Sequence, residues 1–139
     1  MASIEPLYQR IRERGDIPFV EYMQQALYSP HFGYYATGLP KFGAQGDFTT
    51  APELTPLFGQ TIAHQCQQVL STLSEPIVFE FGAGSGRLCV DVLTTLEALE
   101  SLPLEYHILE LSGHLKMRQQ QLIEETIPHL ASRVRWHDR

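Results

Sequence analysis

Residues 77–91 read IVFEFGAGSGRLCVD. A short β-rich run breaks into three glycines within five positions, and apolar residues then resume at helical spacing. Flanked by Pro76 and Gly82, IVFEF (77–81) predicts a buried strand. Residues 86–100 predict a helix with Leu88, Cys89, Val92, Leu93, Leu96 and Leu99 on its inner side. EYHILEL (105–111) predicts the next strand, Ser112 caps a helix running to about Ile127, and VRW (134–136) predicts a third strand. Strands that alternate with helices need crossover connections, so the fold class is α/β with a parallel sheet.

The stretch upstream has a different character. Ile4, Leu7, Tyr8 and Ile11 fall on one helical face, and Gly15 closes that helix. A second helix is expected over Pro18–Tyr28, with Phe19, Tyr22, Met23, Ala26 and Leu27 inward. SPHFGYYATGLPKFGAQGDFTTAPELTP then carries glycine or proline every few residues, which predicts an irregular loop. Its aromatics (Phe32, Tyr34, Tyr35, Phe42, Phe48) argue for packing rather than disorder. Thr55 and Pro56 read as an N-cap and first helical position, followed by Leu57, Phe58, Ile62, Cys66, Val69, Leu70 and Leu73 at helical spacing. Two regions result: a helical and loop-rich stretch over 1–75, and a strand–helix domain over 76–139.

Composition narrows the function. At 139 residues, 43% hydrophobic and 19% charged, the chain suits one globular domain. A formal net charge of −6 argues against a nucleic-acid partner, because a polyanion demands a basic surface. Arg10, Arg12 and Arg14 lie close together, but a solvated helix face explains them. The two cysteines, Cys66 and Cys89, are far apart and without metal-ligand spacing, so no metal is expected and both read as buried free thiols. No apolar stretch approaches the roughly 20 residues of a membrane helix. The start, MASIEPLYQRIRERGD, has no signal-peptide core, and its acids weaken a transit-peptide reading. A cytoplasmic location is expected.

A strand that ends in glycines and feeds a helix offers backbone N–H groups at the positive helix end, and the missing Cβ atoms let a ligand approach closely. A dinucleotide pyrophosphate is one candidate, but its G-x-G-x-x-G spacing requires a glycine where Arg87 stands. The pattern is instead E-x-G-x-G-x-G, from Glu80 through Gly82, Gly84 and Gly86. This form resembles the first motif of class I S-adenosylmethionine-dependent methyltransferases. That ligand has no pyrophosphate; it has an ammonium, a carboxylate and a ribose diol. An acid in the strand end, Glu80, suits a cationic ligand, and Glu110 in HILELS stands where an acid accepts hydrogen bonds from ribose hydroxyls. Glu80, Gly82, Ala83, Gly84, Gly86, Glu110 and Leu111 are therefore candidate cofactor residues. Plainer readings remain: Glu80 as a charge neighbour of the helix, Glu110 as an ordinary strand-end acid.

FVEYMQQALYSPHFGYY, GDFTTAPELTPLFG and FEFGAGSGRL, in this order, resemble the MidA-like family of class I methyltransferases, which relate to the mitochondrial complex I assembly methyltransferase. The resemblance runs from about Leu7 to Trp136 and implies a Rossmann-like fold, S-adenosyl-L-methionine as cofactor, and a protein arginine of a respiratory-complex subunit as acceptor. It implies that GDFTTAPE folds over the cofactor, adding Gly46, Asp47, Phe48, Thr49 and Thr50 to the candidate site. A self-capping turn would explain Asp47 and Thr50 equally. Tyr34 and Tyr35 read as packing aromatics, and the family's adenine contact would fall at His137 and Asp138.

Class I methyltransferases have a seven-stranded sheet whose first strand lies beside a fourth supplied later in the chain. Three strands make this an incomplete sheet, so the chain reads as the cofactor-binding, N-terminal portion of a longer enzyme. It is expected to be inactive alone, with catalytic residues beyond Arg139. The unpaired edge of IVFEF predicts self-association. A non-catalytic assembly factor that keeps the cofactor fold is the alternative function. A nicotinamide-dependent oxidoreductase fails on the glycine spacing.

Overall fold

In the computed structural model, residues 5–30, 32–36 and 46–139 are described. Ile4 and Phe42 of the sequence reading lie outside them. The described elements are α1 (Glu5–Arg14), α2 (Phe19–Tyr28), α3 (Ala51–Leu54), α4 (Pro56–Leu70), β1 (Ile77–Phe81), α5 (Arg87–Ala98), β2 (Glu105–Leu109), α6 (Gly113–Thr126), a 3₁₀ segment (Pro128–Arg133) and β3 (Val134–His137). All three expected strands and the helices between them are present. The strands pair in parallel in the order β1-β2-β3. Ile77 stands opposite Glu105 and Phe81 opposite Leu109, while Tyr106 faces Val134 and Leu109 faces His137.

That register sorts the side chains into two sets, because successive residues of a strand point to opposite faces. Val78, Glu80, Tyr106, Ile108, Val134 and Trp136 lie toward the helices. There they meet Cys89, Val92, Leu93, Leu96 and Ile123, all buried. The other face carries Ile77, Phe79 and Phe81 of β1, His107 of β2 and His137 of β3. Its rings form a cluster, with Phe79 5.8 Å from His137 and His107 5.0 Å from His137 between centroids. His107 and Arg135 flank Glu105 at 3.0 Å each; the His107 hydrogen bond first, and then the Arg135 charge, hold that carboxyl below its ordinary range.

Several expectations change. IVFEF is not a buried strand: Ile77, Phe79 and Phe81 are 48, 44 and 76% exposed, because the packed helices cover one sheet face. Its outer edge carries no strand among the described residues. Phe19 and Tyr22, expected inward on α2, are exposed and stack on each other at 6.2 Å. The loop is not wholly irregular, since Ala51–Leu54 forms one helical turn, with Pro52 in its first turn. Leu57 and Val69 of α4 face solvent, and it is Gly59, Ala63 and Leu70 that are buried.

Gly59 explains how α4 packs. A Cβ built there would lie 2.5 Å from Cβ of Asp91, so only a glycine lets α4 come this close to α5. With the sheet on one side and α4 on the other, α5 buries Val90 and Asp91 as well as the expected Cys89, Val92, Leu93 and Leu96, while Leu88 and Leu99 are half-buried. Asp91 holds Arg87 at 3.5 Å through Oδ1, and burial pushes its carboxyl up. Thr55 caps α4 through its hydroxyl, accepting from Leu57 N at 3.3 Å, as the sequence predicts. Cys89 is a buried thiol and Cys66 a half-buried one; burial pushes both up.

Candidate functional site

The glycine loop leaves β1 at Phe81 and enters α5 at Arg87. Gly82, Gly84 and Gly86 take φ of +69, +56 and +89°, a region L side chains rarely adopt. A Cβ on Gly82 would meet nothing within 4 Å, so this glycine leaves open space beside the backbone. At Gly86 the neighbour is protein: a Cβ would lie 3.3 Å from Cα and Cγ of Gln119, so this glycine lets α5 start against α6. The loop closes by Gly86 N donating to Ala83 O at 2.8 Å, and Gly82 N donates to Leu109 O at 2.9 Å.

Two hollows share Gly82 and Gly84. The larger, about 310 Å³, is lined by Thr50, Pro52, Glu53, Glu80, Phe81, Ala83, Ser85 and Leu88 as well. The smaller, about 130 Å³, adds Tyr28, Tyr35, Glu110 and Leu115. A strand-end acid thus stands in each. Glu80 accepts a hydrogen bond of 2.8 Å from the Tyr106 hydroxyl. Burial pushes the Glu80 carboxyl up; the Tyr106 bond pulls it back, and the charge of Glu110 adds to the rise. Glu110, 5% exposed, accepts from Ser112 N at 2.9 Å on Oε1 and from the Gln119 amide at 2.9 Å on Oε2.

The GDFTTAPE stretch meets the glycine loop in part. Thr50 lines the larger hollow, and Ser85 donates its hydroxyl to Glu53. Asp47 accepts from the Tyr34 hydroxyl at 2.5 Å, and Phe48 sits edge-on to Tyr34 at 6.1 Å. Gly46 is half-buried, Thr49 is exposed, and neither lines the two hollows. Leu111 is 49% exposed and also stays outside them. His137 turns its ring to the open sheet face and Asp138 is exposed, so the structure brings neither to the site.

Other residues come in unannounced. Tyr35, read as a packing aromatic, lines the smaller hollow with Tyr28, their rings stacked at 5.7 Å. Its carbonyl accepts from the Ser112 hydroxyl at 2.6 Å, which ties this N-terminal segment to the α6 cap. Glu53, the last residue of GDFTTAPE, has no local sequence signal for its bond to Ser85. Gln119 sits inside QQQ, and the one available signal was its place between Leu115 and Ile123 on the buried stripe of α6.

An open parallel sheet with a glycine loop and acids at adjoining strand ends defines an α/β protein of the Rossmann-like class. The comparisons specify the family. A family model described as "Putative S-adenosyl-L-methionine-dependent methyltransferase" matches residues 61–139, and the chain belongs to that family. A crystal structure from Burkholderia thailandensis, described as a "likely methyl transferase" bound to S-adenosyl-homocysteine, superposes with a TM-score of 0.86 at 45% identity. It covers 97% of this chain and 36% of that one. The mitochondrial protein arginine methyltransferase NDUFAF7 homolog of Drosophila melanogaster is 34% identical over 83% of this chain and 27% of its own length. Its counterpart in Rattus norvegicus is 31% identical over 88% of this chain and 30% of its length. The chain therefore spans about a third or less of these relatives. The cytoplasmic expectation is corrected by them: the curated relatives carry a mitochondrial label, which composition and the N-terminal pattern did not reveal.

Proposed function

We propose that this chain is the cofactor-holding part of an S-adenosyl-L-methionine-dependent methyltransferase acting on protein arginine. The observation that carries the reading is Glu110: a buried carboxylate, held by two donors, that opens on the same hollow as Gly82 and Gly84. A carboxylate offers about four acceptor sites, so two remain for a vicinal diol. Glu80, with Thr50 in the larger hollow, offers negative charge to an ammonium group. When bound, S-adenosyl-L-methionine supplies an electrophilic methyl group on a sulfonium. The chain's own part is to hold the nucleoside at Glu110, the amino-acid end near Glu80, and the glycine backbone close to both.

The name of the curated relatives supports an arginine acceptor, and the family resemblance supports a subunit of respiratory complex I. The β1 edge, unpaired among the described residues and with Phe81 exposed beside it, supports a homo-oligomer; light scattering on a dilute sample tests that, and a strict monomer overturns it. For the cofactor, calorimetry is expected to show one S-adenosylhomocysteine per chain. Binding of NAD without any of S-adenosylhomocysteine overturns the reading. For the acceptor, labelled methyl transfer by the full-length protein followed by hydrolysis should yield methylarginine.

A further inference from the structure

Gln119 has none of its surface exposed, yet it carries an amide. Its Nε2 donates to Gly84 O at 3.0 Å and to Glu110 Oε2 at 2.9 Å, and its Oε1 accepts from the Trp136 indole N–H at 3.0 Å. The orientation of the amide is fixed by chemistry. An indole N–H only donates, and a carbonyl or an ionised carboxylate only accepts, so the opposite flip would lose all three bonds. Glutamine is suited to this place because it donates twice and accepts once at the end of a three-carbon reach.

We propose that Gln119 is a positioning residue for ribose recognition: it locks the Glu110 carboxylate and the Gly84 backbone in one mutual geometry. The proposal rests on the reading of Glu110 as the diol acceptor. One side chain thereby joins β3, the β2 end and the glycine loop, and the last two line the hollow on which Glu110 opens. Ser112 N fixes Oε1 of Glu110, but a single bond lets the carboxylate pivot about it. The Gln119 bond on Oε2 removes that freedom. Gly86 belongs to the same device, because a Cβ there would press on Gln119 at 3.3 Å and shift it.

The test compares S-adenosylhomocysteine with its 2′-deoxy analogue by calorimetry, using the full-length protein. The unaltered protein is expected to bind the analogue at least about tenfold more weakly, as for a hydrogen bond to a charged group. Gln119→Met preserves length and burial; it is expected to bind S-adenosylhomocysteine about tenfold more weakly and to prefer it over the analogue by less than about twofold. Trp136→Phe, which frees the amide oxygen while keeping both donors, is expected to reduce the preference to about threefold. Circular dichroism identifies which variants fold. An unchanged preference in whichever variant folds overturns the proposal, including the case where both ligands weaken equally, which marks a merely structural role. Failure of the unaltered protein to bind S-adenosylhomocysteine overturns the cofactor reading itself and the proposal with it.

Discussion

The two faces of the three-stranded sheet distribute polarity against exposure. The helix-covered face holds Glu80, and next to it the carboxylate of Glu110 and the amide of Gln119. The open face shows Ile77, Phe79 and Phe81 to solvent. A buried acid is tolerable only where donors hold it, and Tyr106 and Gln119 each supply one. No comparable argument from stability explains three apolar side chains in water on one strand; such patches mark surfaces that meet other protein. The covered face is thus a finished core with the candidate site at its rim, and the open face is a surface suited to a partner layer.

The largest expected contrast lies in the core. Ile108→Ala, fully buried on the covered face, is expected to destabilise by about 3 kcal/mol in urea unfolding. Phe79→Ala on the open face should lose less than about 1 kcal/mol. Equal losses would show that the open face is packed like the other. Next comes the rim: Glu110→Ala is expected to weaken S-adenosylhomocysteine binding at least about tenfold, whereas Phe79→Ala, outside both hollows, leaves the affinity within about twofold. Calorimetry on both variants makes the comparison, and a larger loss in the Phe79 variant would move the site to the open face.

A pH dependence follows from Glu80. Its carboxyl is raised in the folded chain, so below the ordinary carboxylate range it is protonated in both states and stability is complete. As pH rises through the raised value, the folded state must ionise a buried group and stability falls. Glu80→Gln keeps an acceptor for the Tyr106 hydroxyl and is expected to flatten that decline, read as urea midpoints across pH. A midpoint that climbs with pH through this window in the unaltered protein would contradict it. The smallest effect on stability is expected from Phe81→Ser, within about 0.5 kcal/mol, together with reduced self-association in light scattering.

What the sequence made legible was local. The glycine spacing, the strand–helix alternation, the Ser112 and Thr55 caps and the position of Glu110 each depend on neighbours a few residues away, and the structure places them as read. Periodicity shows that IVFEF is a strand, but which face is covered depends on the remote helices, so the exposure of Phe79 and Phe81 was hidden. Gln119 looks like its neighbours Gln120 and Gln121 until α6 is laid on the sheet. Gly59 resembles a flaw in a helix until Asp91 is found 2.5 Å from its absent Cβ. Tyr35 reaches the site through a hydrogen bond to Ser112, 77 positions away in sequence.

The imidazoles of the open face carry a further consequence. His107 Nε2 lies 3.0 Å from a Glu105 oxygen, and His107 Nδ1 lies 2.9 Å from His137 Nε2. With both rings neutral, only one assignment satisfies the row: His107 bears its hydrogen on Nε2 and gives it to Glu105, and His137 bears its own on Nε2 and gives it to His107. The carboxylate at one end thus dictates the tautomer of a ring on the neighbouring strand. Nitrogen-15 shifts would read this as two Nε2–H imidazoles, and a glutamine at 105, able to donate as well as accept, would release both.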